Sequence, residues 1–457
     1  MIATGALGLN EEIGRYPRGS LIVVKGGPGT GKTSLCLAFL KSGVEVGEKV
    51  VYVTFVESKR DLAFYAKRFN IDLLGLEAKG LIKVEEVPTM VFGAESLLRA
   101  VLGAVEELRA SRLILDSFTA IRELFANEQE VRSFLHNVFL KTLKREEVTT
   151  MISLEVLGPY EQPLIEEYVA DVIIELRQSF TDEGVFLREL VVRKFRGTYL
   201  RNKRHCFTLH GGFQLFTRAK EVVDEPLTHE VVEEVEGRFS TGIKGLDEVL
   251  GGGLEQGKAL LMVYDDWLPV NPLCVVTPAI FQSVFKGRRV LVLPGIGVRR
   301  LKQILTTSLT EKQIVDSLRA LLPLREGVKE SWVAPLKLKL EEDFASMMDS
   351  YLKLRRLGPT LVVLDMSSIM RLYGQEAATK VDEVLRVVRD QGDVAVNIAP
   401  RSCPLLNQYI TMHDYVLRLF EVNKAIFIRG IKPPTEAYHL DIRREGEVRR
   451  MTLTPMV

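Results

Sequence analysis

Short apolar, β-branched runs alternate along this chain with longer stretches of helical spacing. The runs fall at 21–24, 50–55, 112–115 and 148–153 in the first half, and at 259–263, 290–293, 360–364 and 394–398 in the second. Each is too short for a helix and rich enough in Val, Ile and Leu to read as a buried strand. Between them the period changes. Across 94–109, for example, Leu97, Leu98, Val101, Leu102, Val105 and Leu108 share one helical face. Strands separated by helices predict mostly parallel sheets with right-handed crossovers and helices on both sides, so the expected fold class is α/β.

The pattern also repeats. TGALGLNEEIGRYPRGSLIVV, starting at Thr4, returns as TGIKGLDEVLGGGLEQGKALLMV, starting at Thr241, a period of about 237 residues. Between the copies, residues 218–237 carry seven carboxylates and little apolar mass, which predicts a solvated acidic connector. The expected organisation is therefore a first domain at 1–217, a linker at 218–237 and a second domain of the same plan at 238–457.

Composition narrows the classes of function. Lys plus Arg total 61 against 60 for Asp plus Glu, a net charge of +1, so no global field draws the chain to nucleic acid or an anionic membrane. Any such binding needs a local patch. The four cysteines, Cys36, Cys206, Cys274 and Cys403, form no CxxC pair and suit a reducing compartment. His205, Cys206 and His210 lie close together but lack a partner pair elsewhere, and no metal is assigned to them. No apolar stretch reaches the roughly 20 residues that span a bilayer, and the opening MIATGALGLNEEIG lacks the basic start and apolar middle of a signal peptide. A cytoplasmic protein is expected. Scarce Asn (9) and Gln (11) beside abundant charge point to a hot-growing source.

The candidate chemistry sits in the first half. Gly26, Gly27, Pro28, Gly29, Thr30, Gly31, Lys32 and Thr33 read GGPGTGKT between an apolar strand and a helical pattern that opens at Ser34. Small residues let backbone N–H groups wrap a phosphate, and the helix N-terminus adds its positive dipole end. Lys32 would reach the β- and γ-phosphates, and the Thr33 hydroxyl would ligate Mg²⁺. Asp116, at the end of the strand in RLILDS, is the candidate carboxylate for the metal or its water.

These motifs, with VYVTFVES at 51–58, KFRGT at 194–198 and STGIKGLDEVLGGGL at 240–254, resemble the RecA-type ATPases, and within them the KaiC family and its archaeal KaiC-like relatives. The likeness spans nearly the whole chain. It implies two tandem RecA-like domains, ATP with Mg²⁺ as cofactors, and a ring, usually a hexamer, with nucleotide held between subunits. It also implies that Lys194 and Arg196 reach the neighbouring subunit's nucleotide, as an arginine finger does. Read from the residues alone, Arg193, Lys194, Arg196, Arg201, Lys203 and Arg204 are a solvated basic hairpin.

One departure from the family pattern bears on catalysis. Hydrolysing members carry two glutamates after the second strand, and here the first position is Val56, leaving Glu57. A missing general base typically costs about 10²–10⁴-fold in rate. Either Glu57 takes over the role and hydrolysis is slow, or the domain is a nucleotide-held switch.

In the second half the aligned segment is YDDWLPVNPLC, with Val270 opposite Lys32, Asn271 opposite Thr33, and Asp265 and Asp266 where glycine and proline stand. Such a loop repels a triphosphate. Gly297 stands opposite Glu57, and only the strand-end Asp365 survives. Tyr264 and Trp267 are expected to pack against the sheet. The second domain reads as a degenerate pseudo-ATPase that braces the ring or offers a surface to a protein partner. The alternative function is a recombination or repair accessory protein of the RecA/RadA-paralogue type, resting on the basic segment 193–204 alone.

Overall fold

The computed structural model describes residues 1–87, 94–156, 164–216, 218, 228–323 and 330–457. They pack as two compact units, Met1–Phe216 with Met456–Val457, and Thr217–Pro455.

The first unit is built on nine strands: β1 (Leu21–Gly26), β2 (Val50–Thr54), β3 (Ile82–Glu86), β4 (Arg112–Asp116), β5 (Thr149–Glu155), β6 (Val172–Phe180), β7 (Phe186–Phe195), β8 (Arg204–Thr208) and β9 (Gln214–Leu215). Their order in the sheet is β3-β2-β4-β5-β1-β6-β7-β8-β9. Pairing is parallel from β3 through β6 and antiparallel beyond. The central strands are buried on both faces, which is why they read as continuous apolar runs. Ile22 and Val24 of β1 join one core with Leu35 and Phe39, while Leu21 and Val23 join the other with Leu97 and Val101.

The second unit repeats this order around a different set. After β10 (Thr228–His229), β11 (Arg238–Phe239) and β12 (Leu254–Glu255) come β13 (Ala259–Tyr264), β14 (Arg289–Leu293), β15 (Leu318–Leu322), β16 (Val333–Pro335), β17 (Thr360–Leu364), β18 (Val394–Pro400), β19 (Tyr415–Val422), β20 (Ala425–Lys432), β21 (Pro434–Glu445) and β22 (Val448–Pro455). The large sheet runs β10-β22-β21-β20-β19-β13-β18-β17-β14-β15-β16, with β13 between β18 and β19 as β1 lies between β5 and β6. Both units are therefore α/β, each with a mostly parallel inner sheet and an antiparallel extension.

The eight expected strands all exist, with ends differing by at most two residues. The antiparallel extension is absent from the sequence reading because its strands alternate buried and charged residues. In β7, FLRELVVRKF, no long apolar run appears.

The expectation of a solvated connector needs correction for residues 228–237; the part at 219–227 lies outside the described residues. Thr228 and His229 pair with Val448 and Arg449, and the His229 ring lies 4.5 Å from that of Phe281. Glu234 is held by Arg288 and by the Ser240 backbone N–H. Its carboxylate count hid this, because one acidic residue anchors the arm while Glu230, Glu233 and Glu236 stay exposed.

Candidate functional site

The site in the first unit grows from the end of β1. At Gly26 a Cβ would meet the Leu176 carbonyl oxygen at 2.5 Å, so the strand can leave the sheet edge here only as glycine. Gly29 (φ 70°) and Gly31 (φ 104°) adopt left-handed backbone, which turns the chain into the helix Lys32–Val44. At Gly27 a Cβ would meet nothing closer than 3.8 Å, so the cradle keeps open space above its backbone. Thr30 Oγ1 ties the loop to itself by donating to the Gly27 carbonyl at 2.8 Å.

Lys32 lies folded into this loop. Its Nζ donates to the carbonyls of Gly26 (3.0 Å) and Gly27 (2.8 Å) and sits 3.6 Å from Glu155 Oε1. Burial holds its pKa below the usual lysine range, with the Glu155 and Asp116 carboxylates acting in the opposite direction. Asp116 ends β4 and is fixed by two donors, Tyr52 Oη at 2.6 Å and Ser153 Oγ. Glu57 follows β2 in a turn stitched by Thr54, whose hydroxyl donates to the Glu57 carbonyl at 2.8 Å and accepts from its N–H at 3.2 Å. Burial, then the charges of Asp116 and Asp61, push the Glu57 carboxyl above the usual carboxylate range.

Pro28, Gly29, Gly31, Lys32, Thr33, Ser34, Glu57 and Asp116 line one cleft of about 360 Å³, with Gly26, Gly27 and Thr30 completing the loop behind it. The donor set fits a nucleotide with magnesium: open backbone and one lysine for phosphate, and the hard oxygens of Thr33 and Asp116 for the metal. Val56 also lines the cleft and is 78% exposed, so the position is accessible to substrate but bears no ionisable group.

Lys194 and Arg196 are not among the residues lining this cleft. Lys194 Nζ donates to the carbonyls of Glu167 (3.0 Å) and Tyr168 (3.3 Å), and Arg196 pairs with Asp171 at 3.2 Å. Arg193 pairs with Glu175. All three cations pair within their own unit, and Arg193 and Arg196 stay exposed, in keeping with the solvated basic hairpin read from the residues alone.

Sequence reasoning missed Glu155, Tyr52 and Ser153. Glu155 ends β5 as Asp116 ends β4, so the rule that found one strand-tip carboxylate would have found the other. Tyr52 and Ser153 sit inside apolar runs, and nothing in the pattern marks them.

The corresponding stretch of the second unit has another construction. β13 ends at Tyr264, opposite Gly26, yet the next helix begins at Leu273, the counterpart of Leu35. The first helical turn, which would aim N–H groups at a phosphate, is missing. Val270 is buried, Asn271 accepts the Leu273 N–H at 3.0 Å, and Asp265 pairs with Arg418 at 2.9 Å. Trp267 is 90% exposed, against the expectation that it packs on the sheet; Tyr264 is half-buried. Asp365 caps the helix Met366–Tyr373, accepting from the N–H groups of Ser367 and Ser368.

Comparison with known proteins finds the following similarities. The KaiC ATPase family matches residues 2–213. The circadian clock oscillator protein KaiC of Thermostichus vulcanus is 28% identical over 261 residues, covering 54% of this chain and 48% of that protein. Protein GvpD2 of Halobacterium salinarum is 24% identical over 495 residues, 98% of both. Among solved structures, a KaiC-like protein from the archaeon Pyrococcus horikoshii is 29% identical, with 47% of this chain and 98% of that chain covered and a TM-score of 0.43. The chain spans about half the length of the clock proteins it matches.

Proposed function

We propose that this chain, whose N-terminal unit is a KaiC-like ATPase domain of the RecA-like P-loop class, is a cytoplasmic, nucleotide-dependent switch that assembles as a ring, taken as a hexamer. The N-terminal unit binds Mg-ATP and hydrolyses it slowly; the second unit is a pseudo-ATPase that regulates or scaffolds, offering its surface to a protein partner. One observation carries the reading: Lys32, Thr33 and Asp116 converge on a single cleft behind a glycine loop, and the second unit has no equivalent of the first two.

In this reading the backbone N–H groups of Gly27 and of 29–33, with Lys32, hold the phosphates, and Thr33 and Asp116 hold the metal, which neutralises phosphate charge when bound. Glu57 is the carboxylate placed to orient or deprotonate water. Val56 supplies no carboxylate at the first of the two positions, so turnover is slow. Lys194 and Arg196 serve the neighbouring subunit's nucleotide.

The test is ATP hydrolysis measured together with oligomer mass, with and without Mg-ATP. The reading expects slow turnover and a nucleotide-dependent assembly; a monomer under all conditions would remove the trans role of Lys194 and Arg196.

A further inference from the structure

β1, the strand that delivers the phosphate loop, is gripped at both ends by one short stretch of chain. At its start, the Leu21 N–H donates to Asp171 Oδ2 at 3.2 Å; near its end, Lys25 Nζ meets Glu167 Oε1 at 2.6 Å. Lys25 is the residue before Gly26, whose carbonyl holds Lys32. The same stretch holds both basic side chains of the hairpin, Lys194 through the carbonyls of Glu167 and Tyr168, and Arg196 through Asp171.

The second unit provides an internal control. Counting back from Asp171 and Asp414 without a gap, Glu167 falls opposite Ile410, and Lys25 falls opposite Val263. The grip at the start of the strand is kept there, because Asp414 Oδ2 accepts the Ala259 N–H at 3.0 Å. The ionic grip near the end is replaced by apolar residues: Val263 is buried and Ile410 packs against the same core. A neighbouring contact changes in the same sense. Glu166, fully buried 3.6 Å from Arg122, is matched by Tyr409, whose hydroxyl meets Met370.

Lys25 and Glu167 are 8% and 13% exposed, so their pairing carries a desolvation cost that an apolar pair avoids. The second unit shows that this sheet forms with the apolar pair. What the charged pair adds in the first unit is a fixed location for the backbone carbonyls that hold Lys194. We propose that the Lys25–Glu167 pair is a positioning device, which ties a subunit's own phosphate-loop strand to the cations it presents to its neighbour's nucleotide. This inference rests on the trans role of Lys194 and Arg196 given above. Glu167 and Lys25 touch no nucleotide in it and act through Lys194.

The experiment uses the full chain and the release rate of a fluorescent ATP analogue. The double variant Lys25→Val/Glu167→Ile copies the second unit's pair and removes both charges of this ion pair together. It is expected to keep the fold, by circular dichroism, and to release the analogue about tenfold faster, as Lys194→Ala does, since each loses a charge-assisted contact across the interface. Each variant is then mixed with an excess of Lys32→Ala subunits, which bind no nucleotide but carry intact Lys25, Glu167 and Lys194. Every competent loop now faces an intact donor, so release should slow toward the wild-type rate in both mixtures. If Lys194→Ala is rescued and the double variant is not, the defect lies in the variant's own loop and the positioning role falls while the trans reading stands. If neither is rescued, or if Lys194→Ala releases at the wild-type rate, the trans reading falls and this inference with it. A double variant that releases at the wild-type rate beside a fast Lys194→Ala overturns the inference alone.

Discussion

The two units share a sheet order and differ where β1 and β13 end. Gly26 is followed by left-handed glycines and a helix that starts at Lys32; Tyr264 is followed by Asp265, Asp266 and an exposed Trp267, and its helix starts a turn later. The difference teaches that the fold and the phosphate site are separable. The sheet is held by buried strands and by Asp171 or Asp414 at the start of the central strand, and none of these requires the phosphate loop. The site needs glycine conformations, one lysine and a complete first helical turn, and losing them leaves the core intact.

The largest expected effect is therefore confined to one unit. Lys32→Ala removes the charged contact to phosphate and should weaken Mg-ATP binding by about 10²-fold or more, with unchanged circular dichroism. Titration calorimetry should give one nucleotide per chain for the wild type. Binding that persists in the variant at wild-type affinity would place a nucleotide in the second unit and break the comparison.

A gain of function comes next. Val56 is exposed in the cleft, so Val56→Glu adds a carboxylate without disturbing the core. If the missing base limits the rate, steady-state phosphate release should rise by about 10²-fold. The residual wild-type activity should have an acidic limb above the usual carboxylate range, because burial and the charges of Asp116 and Asp61 keep the proton on Glu57. Activity then rises with pH as Glu57 ionises, and Glu57→Gln should abolish that limb.

Much of this contrast was legible in the residues. Glycines at positions needing left-handed backbone, a lysine at the helix start and an aspartate ending an apolar strand are local demands, and local demands mark a sequence. Contacts assembled from distant segments leave no such mark. Tyr52 and Ser153 meet Asp116 only because β2, β4 and β5 are neighbours in the sheet, and Glu167 meets Lys25 only because β6 returns beside β1. The arm at 228–237 misled for a related reason: counting its carboxylates described the exposed side and missed Glu234, which faces Arg288.

The second unit should also lose stability in acid. His413 is held neutral in the second unit, Nδ1–H donating to the Tyr409 carbonyl at 2.6 Å and Nε2 accepting from Asn397 Nδ2 at 2.8 Å, with Arg389, Lys432 and Asp414 around it. Burial lowers its pKa to about 4, and lowers that of His229 to about 3. Below about pH 6.5 the unfolded chain takes up protons that the folded unit refuses, so this stability is complete above that pH and is lost as pH falls toward 4. The loss at His413 is on the order of 3 kcal/mol. Hydrogen exchange followed by mass spectrometry should show protection in β18 and β19 falling over this window, and His413→Gln should flatten the dependence.

The smallest expected effect separates the two strand-end aspartates. Asp365 spends its carboxylate on the helix behind it, accepting from Ser367 N, Ser368 N and Ser367 Oγ, so Asp365→Ala should cost about 1 kcal/mol of stability, as lost N-caps do. Nucleotide affinity should not change. Among the described residues the Asp116 carboxylate accepts only from side chains, Tyr52 and Ser153, and it lines the cleft, so Asp116→Ala should chiefly remove the magnesium dependence of ATP binding. Thermal melts and titrations with and without Mg²⁺ on both variants form a two-by-two comparison. An Asp365→Ala protein with altered ATP affinity would mean that the second strand-end aspartate had kept the older role after its loop was lost.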